Sequence, residues 1–279
     1  MKDSEFLALI KLLDDSDTEV RHIAENKLLA EGKNILERLE SAADEIGDHS
    51  LHFRILNLAA SLRQSNLSAQ LLEWRKGGGD DMLEGWVMLS EIKPDSPSDK
   101  IVKNEVSRLA SKIWLEIQDS MRLHDKLKVI NHFLFTIEGY QLEKQDPENP
   151  DLFFADKLIA TKSGNAQALS LLYLCVAKKL DLPLSGVILP EYMVLYCFDE
   201  TRPFFLDVPG GGNFVSKEGI QLFIHKLKVP DAPSFYRPAS HIQILLAVLE
   251  GLKRSYARKD RQEMSMLVDM VLQDIDIHF

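Results

Sequence analysis

The stretch that decides the fold is SGNAQALSLLYLC, residues 163–175. Apolar side chains recur in it at helical spacing after a small and polar opening, which predicts a buried helix over about 165–180 with Ser163 as its N-cap. At 1.5 Å per residue, Cys175 would lie about 15 Å from the amino end of this helix. We therefore interpret Cys175 as a packed core side chain rather than a nucleophile, because burial disfavours the thiolate.

Composition limits the class of protein. The 279 residues carry a net charge of −10, which argues against nucleic acid as the main ligand because phosphate binding needs clustered Lys and Arg. No apolar run approaches the roughly 18–20 residues that span a bilayer, so we expect no membrane association. The first residues, MKDSEFLALIKLLDD, lack the pattern of a signal peptide, and we expect a cytoplasmic location.

Cofactor and metal motifs are not recognisable in the sequence. The cysteines, Cys175 and Cys197, show neither CxxC pairing nor flanking histidines, which does not fit a zinc site or a disulfide framework. GGGDD, residues 77–81, lacks the lysine and the preceding strand of a phosphate-binding loop and is read as a plain loop. We expect no cofactor and no metal.

The first 120 residues predict helix after helix. Asp17 is placed to cap a helix that Gly32 ends, and the preceding segment pairs with it. This pattern indicates a helical-repeat-like N-terminal domain, residues 1–120. The helices are predicted at 3–13, 17–31, 34–45, 51–73, 81–92 and 98–117.

The pattern changes after residue 183. LSGVILP, YMVLYCF and PFFLDV are short apolar runs rich in β-branched and aromatic residues, which predicts buried strands. PGGGN, residues 209–213, predicts a loop, and a helix is predicted to start near Ser216. Two further helices follow at about 239–257 and 260–276. We therefore expect a core at 121–235 and a C-terminal helical hairpin at 236–279.

The order of these segments resembles the bacterial transglutaminase-like family of the SirB type over about residues 130–215. The resemblance implies an α+β, mostly helical fold with a transglutaminase-like (papain-like) core, a small antiparallel sheet and tetratricopeptide-like C-terminal helices. It rests on the loop DPENPDLF, on the helix positions Gly164, Asn165, Leu169, Ser170, Leu172, Tyr173, Leu174, Val176, Ala177, Leu180, Leu182 and Pro183, and on Gly186, Val187 and Pro190 in the first strand.

The same resemblance implies that the catalytic apparatus is incomplete. Active members use cysteine, histidine and aspartate, and the cysteine position falls at about Ala166, with Asn165 or Gln167 as alternatives. Tyr192 stands at the histidine position, and Asp207 alone fits the third. An ordinary phenol is ionised to only about one part in a thousand at pH 7, so Tyr192 is a poor replacement for imidazole.

The residues support two main hypotheses of function. The first is a non-catalytic module that binds a protein or peptide partner, or a small ligand, in a cleft formed by Asn165, Gln167, Ser170, Tyr192 and Asp207. The alternative is a cysteine or serine hydrolase or acyltransferase with a rearranged site that uses Cys197 or Ser170. A scaffold of helical repeats without a cleft is a third hypothesis. Asp207 is also placed to bind the backbone of the PGGGN loop.

Overall fold

The computed structural model describes residues 1–93, 99–199 and 202–276. Residue 98, where one helix was predicted to begin, lies outside these ranges. The chain divides into two compact units, one made of residues 1–73, 91–96 and 266–279, and the other of residues 74–90 and 97–265. The predicted boundaries near residues 120 and 235 stay predictions.

The first unit is helical. Asp17 caps its second helix by accepting a hydrogen bond from the Glu19 backbone N–H at 2.8 Å, as the sequence indicated. Its core consists of apolar side chains that recur every three or four residues, among them Phe6, Leu28 and Leu39. The helices are α1 (Asp3–Leu12), α2 (Thr18–Ala30), α3 (Leu36–Glu45) and α4 (His49–Lys76), which continues into the second unit.

The second unit combines helices with a sheet and contains the region of resemblance. Short 3₁₀ segments lie at Pro150–Phe153 and Pro233–Tyr236, and a π-helical turn, His132–Ile137, continues one of the helices. The helices are α5 (Met82–Met88), α6 (Asp99–Trp114), α7 (Leu123–Asn131), α8 (Ala155–Thr161), α9 (Ala166–Lys179), α10 (Lys217–Lys226), α11 (His241–Arg258) and α12 (Gln262–Asp276), whose later residues belong to the first unit.

Helix α9 is the central element of this unit. Every residue from Ala166 to Ala177 is buried, which explains why the sequence here is almost wholly apolar. Its N-cap is Asn165, not Ser163 as predicted: Asn165 Oδ1 accepts a hydrogen bond from the Ala168 backbone N–H at 2.8 Å. Ser163 lies two residues before Asn165 in a short strand, and its hydroxyl donates to Glu143 Oε2 at 2.9 Å.

The predicted apolar runs form an antiparallel sheet of four strands in sequence order. A tight hairpin pairs the first two strands, with Val187 opposite Val194 and Leu189 opposite Tyr192. A separate two-stranded parallel ladder joins β1 (Gln141–Leu142) to β2 (Ser163–Gly164). The four strands are β3 (Leu184–Leu189), β4 (Tyr192–Cys197), β5 (Phe204–Asp207) and β6 (Asn213–Val215).

The two faces of the sheet pack against different helices, because alternate side chains point to opposite sides. On one face, Val187 and Val194 join Ile220 of α10 in an apolar cluster. On the other face lie α9 and α11, and a Cβ added to Gly186 would meet Ile244 at 2.6 Å. The sheet therefore separates α10 from α9.

A network of charged groups joins α6 to the segment that leads into α9. Arg108 pairs with Glu105 at 2.7 Å and with Glu138 at 2.8 Å, and Lys162 Nζ lies 3.0 Å from Glu105 Oε1. Lys162 also donates to the hydroxyl of Tyr140 at 2.8 Å. The hydrogen bonds from Arg108 lower the pKa of Glu105 to about 2, against the opposing effect of burial.

Candidate functional site

The amino end of α9 is where the resemblance assigns the nucleophile. Ala166 is the first helical residue and is 8% exposed, and its neighbours are the amide side chains of Asn165 and Gln167. Gln167 Nε2 donates to the Ala247 carbonyl oxygen at 3.2 Å. Asn165 Nδ2 is buried, and no described residue accepts a hydrogen bond from it. This donor is costly to leave unpaired away from water.

A cavity of about 120 Å³, here called the α9 cavity, opens at this helix end. Its walls come from α9, from the loop before the Pro150–Phe153 segment, from the β3–β4 turn and from α11. A Cβ added to Gly251 of α11 would lie 2.7 Å from Phe153 and 2.8 Å from Gln167 Oε1, so α11 packs closely against these side chains only because this position is glycine. The lining residues are Pro147, Glu148, Phe153, Asn165, Ala166, Gln167, Glu191, Gly251, Arg254, Ser255 and Arg258.

Two arginines of α11 stand at the rim of the α9 cavity. Arg258 lies 2.8 Å and Arg254 lies 3.5 Å from Glu191 Oε1, and both side chains are more than 40% exposed. Because exposed ion pairs of this kind contribute little to stability, an incoming anion can exchange with Glu191. The cavity thus presents the Asn165 donor and two arginines to a ligand, together with the carboxylates of Glu148 and Glu191, at the position where the resemblance assigns a nucleophile.

The other candidate nucleophiles are packed inside the unit. Ser170 is fully buried and donates to the Met193 carbonyl oxygen at 3.0 Å, and it does not line the α9 cavity. Cys175 is 4% exposed, and burial raises the pKa of its thiol well above the ordinary value. Cys197 is fully buried, and burial raises its pKa to about 12. None of the three offers a reactive anion at pH 7.

Tyr192 and Asp207 are brought together on the opposite face of the sheet. The Tyr192 hydroxyl donates to Asp207 Oδ1 at 2.8 Å, and its ring lies 5.3 Å from the ring of Phe223. Burial, followed by the hydrogen bond to Asp207, raises the pKa of Tyr192. Asp207 also accepts the Gly210 backbone N–H at 3.1 Å, which is the contact with the PGGGN loop that the sequence indicated.

This pair lines a second cavity of about 290 Å³, here called the α10 cavity, between the sheet and α10. Apolar side chains make up most of its wall, and among the described residues that line it, Asp207 and Tyr192 are the ones with ionisable side chains. The lining residues are Leu189, Tyr192, Val194, Asp207, Val215, Gly219, Ile220 and Phe223.

The residues predicted to share one cleft are therefore distributed over two cavities. Asn165 and Gln167 line the α9 cavity, Tyr192 and Asp207 line the α10 cavity, and Ser170 lines neither. Sequence reasoning missed Arg254 and Arg258. Their spacing of four residues, which places both on one face of a helix, was the available signal.

Within residues 1–93, 99–199 and 202–276, no cluster of three or more His, Cys, Asp and Glu side chains is placed to hold a metal ion. In the same ranges, the helices are all too short or too polar to cross a bilayer.

Comparison with known proteins connects this geometry to a family. The Transglutaminase-like superfamily profile matches residues 100–250. UPF0162 protein YchA of Escherichia coli (strain K12) is 25% identical over 189 residues, which cover 66% of this chain and 70% of that protein. Protein SirB1 of Salmonella typhimurium is 24% identical over 195 residues, which cover 68% of this chain and 72% of that protein.

A third relative, a UPF0162 protein of Xylella fastidiosa (strain Temecula1), is 24% identical over 169 residues, 58% of this chain and 59% of its own length. No solved structure matches the chain significantly. The profile match covers more than half of the sequence and contains α9, the four-stranded sheet and the lining of the α10 cavity. It also contains the lining of the α9 cavity except for the α11 residues Gly251, Arg254, Ser255 and Arg258. The chain belongs to the transglutaminase-like superfamily, within its bacterial SirB type.

Proposed function

We propose that this protein is a non-catalytic, cytoplasmic binding module that holds an acceptor-bearing group of a peptide or protein partner in the α9 cavity. The observation that carries the proposal is the buried, unpaired Nδ2 of Asn165 beside Ala166. A ligand carboxylate or carbonyl oxygen would satisfy this donor. Arg254 and Arg258 at the rim favour a carboxylate over a neutral carbonyl group.

The size of the cavity favours a small group over a whole ligand. A cavity of about 120 Å³ is smaller than the roughly 300–1,000 Å³ of sites that enclose drug-sized molecules. One chain terminus or one acidic side chain of a partner suits this volume, with the rest of the partner on the surface. This argues for peptide recognition.

The second part of the proposal is that no reaction is catalysed in the α9 cavity. Ala166 supplies no nucleophile, and Cys175 lies nine residues further along α9, about 14 Å from the helix start. The buried positions of Ser170 and Cys197 weigh against a rearranged hydrolase or acyltransferase site. We expect neither iodoacetamide nor a fluorophosphonate to label the folded protein at pH 7. Rapid labelling of Cys197 or Ser170 at a single site would contradict the non-catalytic assignment.

Carboxylate binding in the α9 cavity is tested with N-acetylglycine, which carries a minimal peptide carboxylate. Its affinity is compared between the wild-type protein and the Asn165→Asp variant. Aspartate caps helices as well as asparagine does, so this variant keeps the bond to the Ala168 N–H. It replaces the Nδ2 donor with a carboxylate oxygen, which cannot donate to an anion and repels it. We expect chemical-shift changes at the α9 amino end in the wild-type protein and about tenfold weaker binding in the variant. Equal affinities would exclude Asn165 as the anchoring donor.

A further inference from the structure

The α10 cavity contains a carboxylate without a counter-ion. Asp207 is half-buried, and its two hydrogen bonds, from the Tyr192 hydroxyl and the Gly210 N–H, both reach Oδ1. No described residue donates to Oδ2, and none places a cationic nitrogen within 4.0 Å of this carboxylate. Carboxylates that leave bulk water are ordinarily paired with a cation, because desolvation penalises an isolated charge.

The rest of the cavity is apolar and aromatic. Leu189, Val194 and Ile220 are each no more than 2% exposed, so the apolar side of the cavity is tightly packed. The rings of Tyr192 and Phe223 lie 5.3 Å apart and tilted by 44°, which presents aromatic surface next to the carboxylate. Aromatic faces attract cations as well as apolar groups. A volume of about 290 Å³ is close to the lower limit of small-molecule sites.

We propose that the α10 cavity binds a small organic ammonium ion whose charged head meets Asp207 and whose apolar body packs against Leu189, Ile220 and Phe223. Its N–H groups would occupy the lone pairs of Oδ2 in charge-assisted hydrogen bonds. This site goes beyond the peptide site of the proposed function. The sheet separates it from α9, and the ligand charge is opposite to the one that the α9 cavity favours.

Three probes of nearly equal shape separate charge from size. 2-Phenylethylammonium, 2-phenylethanol and 3-phenylpropionate share the phenyl ring and differ in the charge of the head group. By NMR titration of the wild-type protein at pH 7, we expect the ammonium to bind about tenfold or more tightly than the alcohol and the carboxylate to bind least. The ring resonances of Tyr192 and Phe223 should shift during the titration.

The Asp207→Asn variant removes the charge and preserves the shape of the side chain. We expect it to lose most of the preference for the ammonium over the alcohol, because the ion pair contributes more to that preference than the aromatic rings do. Asp181→Asn is the matched control: it removes the same charge at an exposed residue with φ 53, a conformation that asparagine accepts. This control should retain the wild-type preference.

A second variant keeps the test decisive if Asp207→Asn does not fold. Tyr192→Phe retains the ring and the carboxylate and removes only the hydroxyl, so it should keep the preference for the ammonium. A wild-type protein that binds all three probes equally would overturn the proposal. So would an ammonium preference that is undiminished in Asp207→Asn or is lost in Tyr192→Phe.

Discussion

The side-chain amide of Asn131 donates a hydrogen bond to the carbonyl oxygen of Gly212, across 2.8 Å. The Oδ1 atom of Asn131 accepts a hydrogen bond from the Tyr173 hydroxyl at 2.9 Å. One side chain at the end of α7 therefore joins the centre of α9 to the PGGGN loop. The same loop supplies the Gly210 N–H that binds Asp207. The position of the α10 cavity carboxylate is therefore linked to the core helix through Asn131.

Replacing Gly212 by alanine should destabilise the second unit. Gly212 has φ +78, and an added Cβ would lie 2.3 Å from the Asn131 side chain, so the substitution combines backbone strain with loss of this contact. Gly211→Ala is the matched control, because φ is +87 there but no atom lies within 4 Å of the added Cβ. We expect the free energy of unfolding to fall by about 1–2 kcal/mol in the control. In Gly212→Ala it should fall by at least about 1 kcal/mol more. Urea unfolding measures both, and equal losses would argue against the Asn131 contact.

Placing a cysteine at Ala166 should create a reactive thiol. The first turn of α9 has free N–H groups and the positive end of the helix dipole, which lower a thiol pKa. We expect iodoacetamide at pH 7 to label Ala166→Cys at least about tenfold faster than either natural cysteine. Intact-mass spectrometry measures the rate.

Ala168→Cys is the control for this experiment. It introduces the same side chain two residues further along α9, where the position is only 1% exposed. We expect it to remain unlabelled in the folded protein. Comparable labelling of the two variants would mean that the amino end of α9 has no special access to solvent.

Ser170→Ala should lower stability modestly. The substitution removes the buried hydrogen bond from the Ser170 hydroxyl to the Met193 carbonyl oxygen, with an expected cost of about 1 kcal/mol. Ser61→Ala removes an exposed hydrogen bond to the Asn57 carbonyl oxygen and should change stability by less than about 0.5 kcal/mol. Denaturant midpoints compare the two, and a neutral Ser170→Ala would show that this contact does not hold β4 against α9.

Stability should fall in acid partly through Glu105. Its pKa is lowered from 4.5 to about 2 in the folded protein, chiefly by hydrogen bonds from Arg108. A lowered folded-state pKa contributes stability that is present above pH 4.5 and is lost as the pH falls toward 2. Glu105→Gln should therefore be less stable than the wild type at pH 7 and should lose less stability between pH 5 and pH 2.

Glu116→Gln is the control for the acid experiment, since Glu116 is exposed. Its unfolding free energy should follow the wild-type pH profile. If Glu105→Gln also follows that profile, the network around Arg108 does not couple protonation to folding.

Much of the fold was predictable because it follows from burial. The runs LSGVILP and YMVLYCF correspond to β3 and β4 since strands covered on both faces need continuous apolar sequence. Helix α9 was predicted for the same reason. The N-cap of α9 was assigned to Ser163 instead of Asn165, because both residue types are good caps. Ser163 is instead part of the β1–β2 ladder. Strands of only two residues leave no recognisable pattern in the sequence.

The site was less predictable, because alternation defines two faces of a strand but not the helix that covers each. Tyr192 and Met193 are adjacent in β4, so alternation alone places them on opposite faces, yet only the structure shows that α10 covers Tyr192. Arg254 was missed for a related reason. It reaches the α9 cavity from α11, 88 positions after Ala166, and no local pattern encodes so distant a contact.

The β3–β4 hairpin has a consequence for how the protein responds to its surroundings. Glu191, with φ 54, lines one cavity, and the next residue, Tyr192, lines the other, so a single peptide unit borders both compartments. A reorientation of that peptide unit would change the lining of both cavities together. By thermodynamic reciprocity, whatever effect occupancy of one compartment has on affinity in the other is matched in the reverse direction.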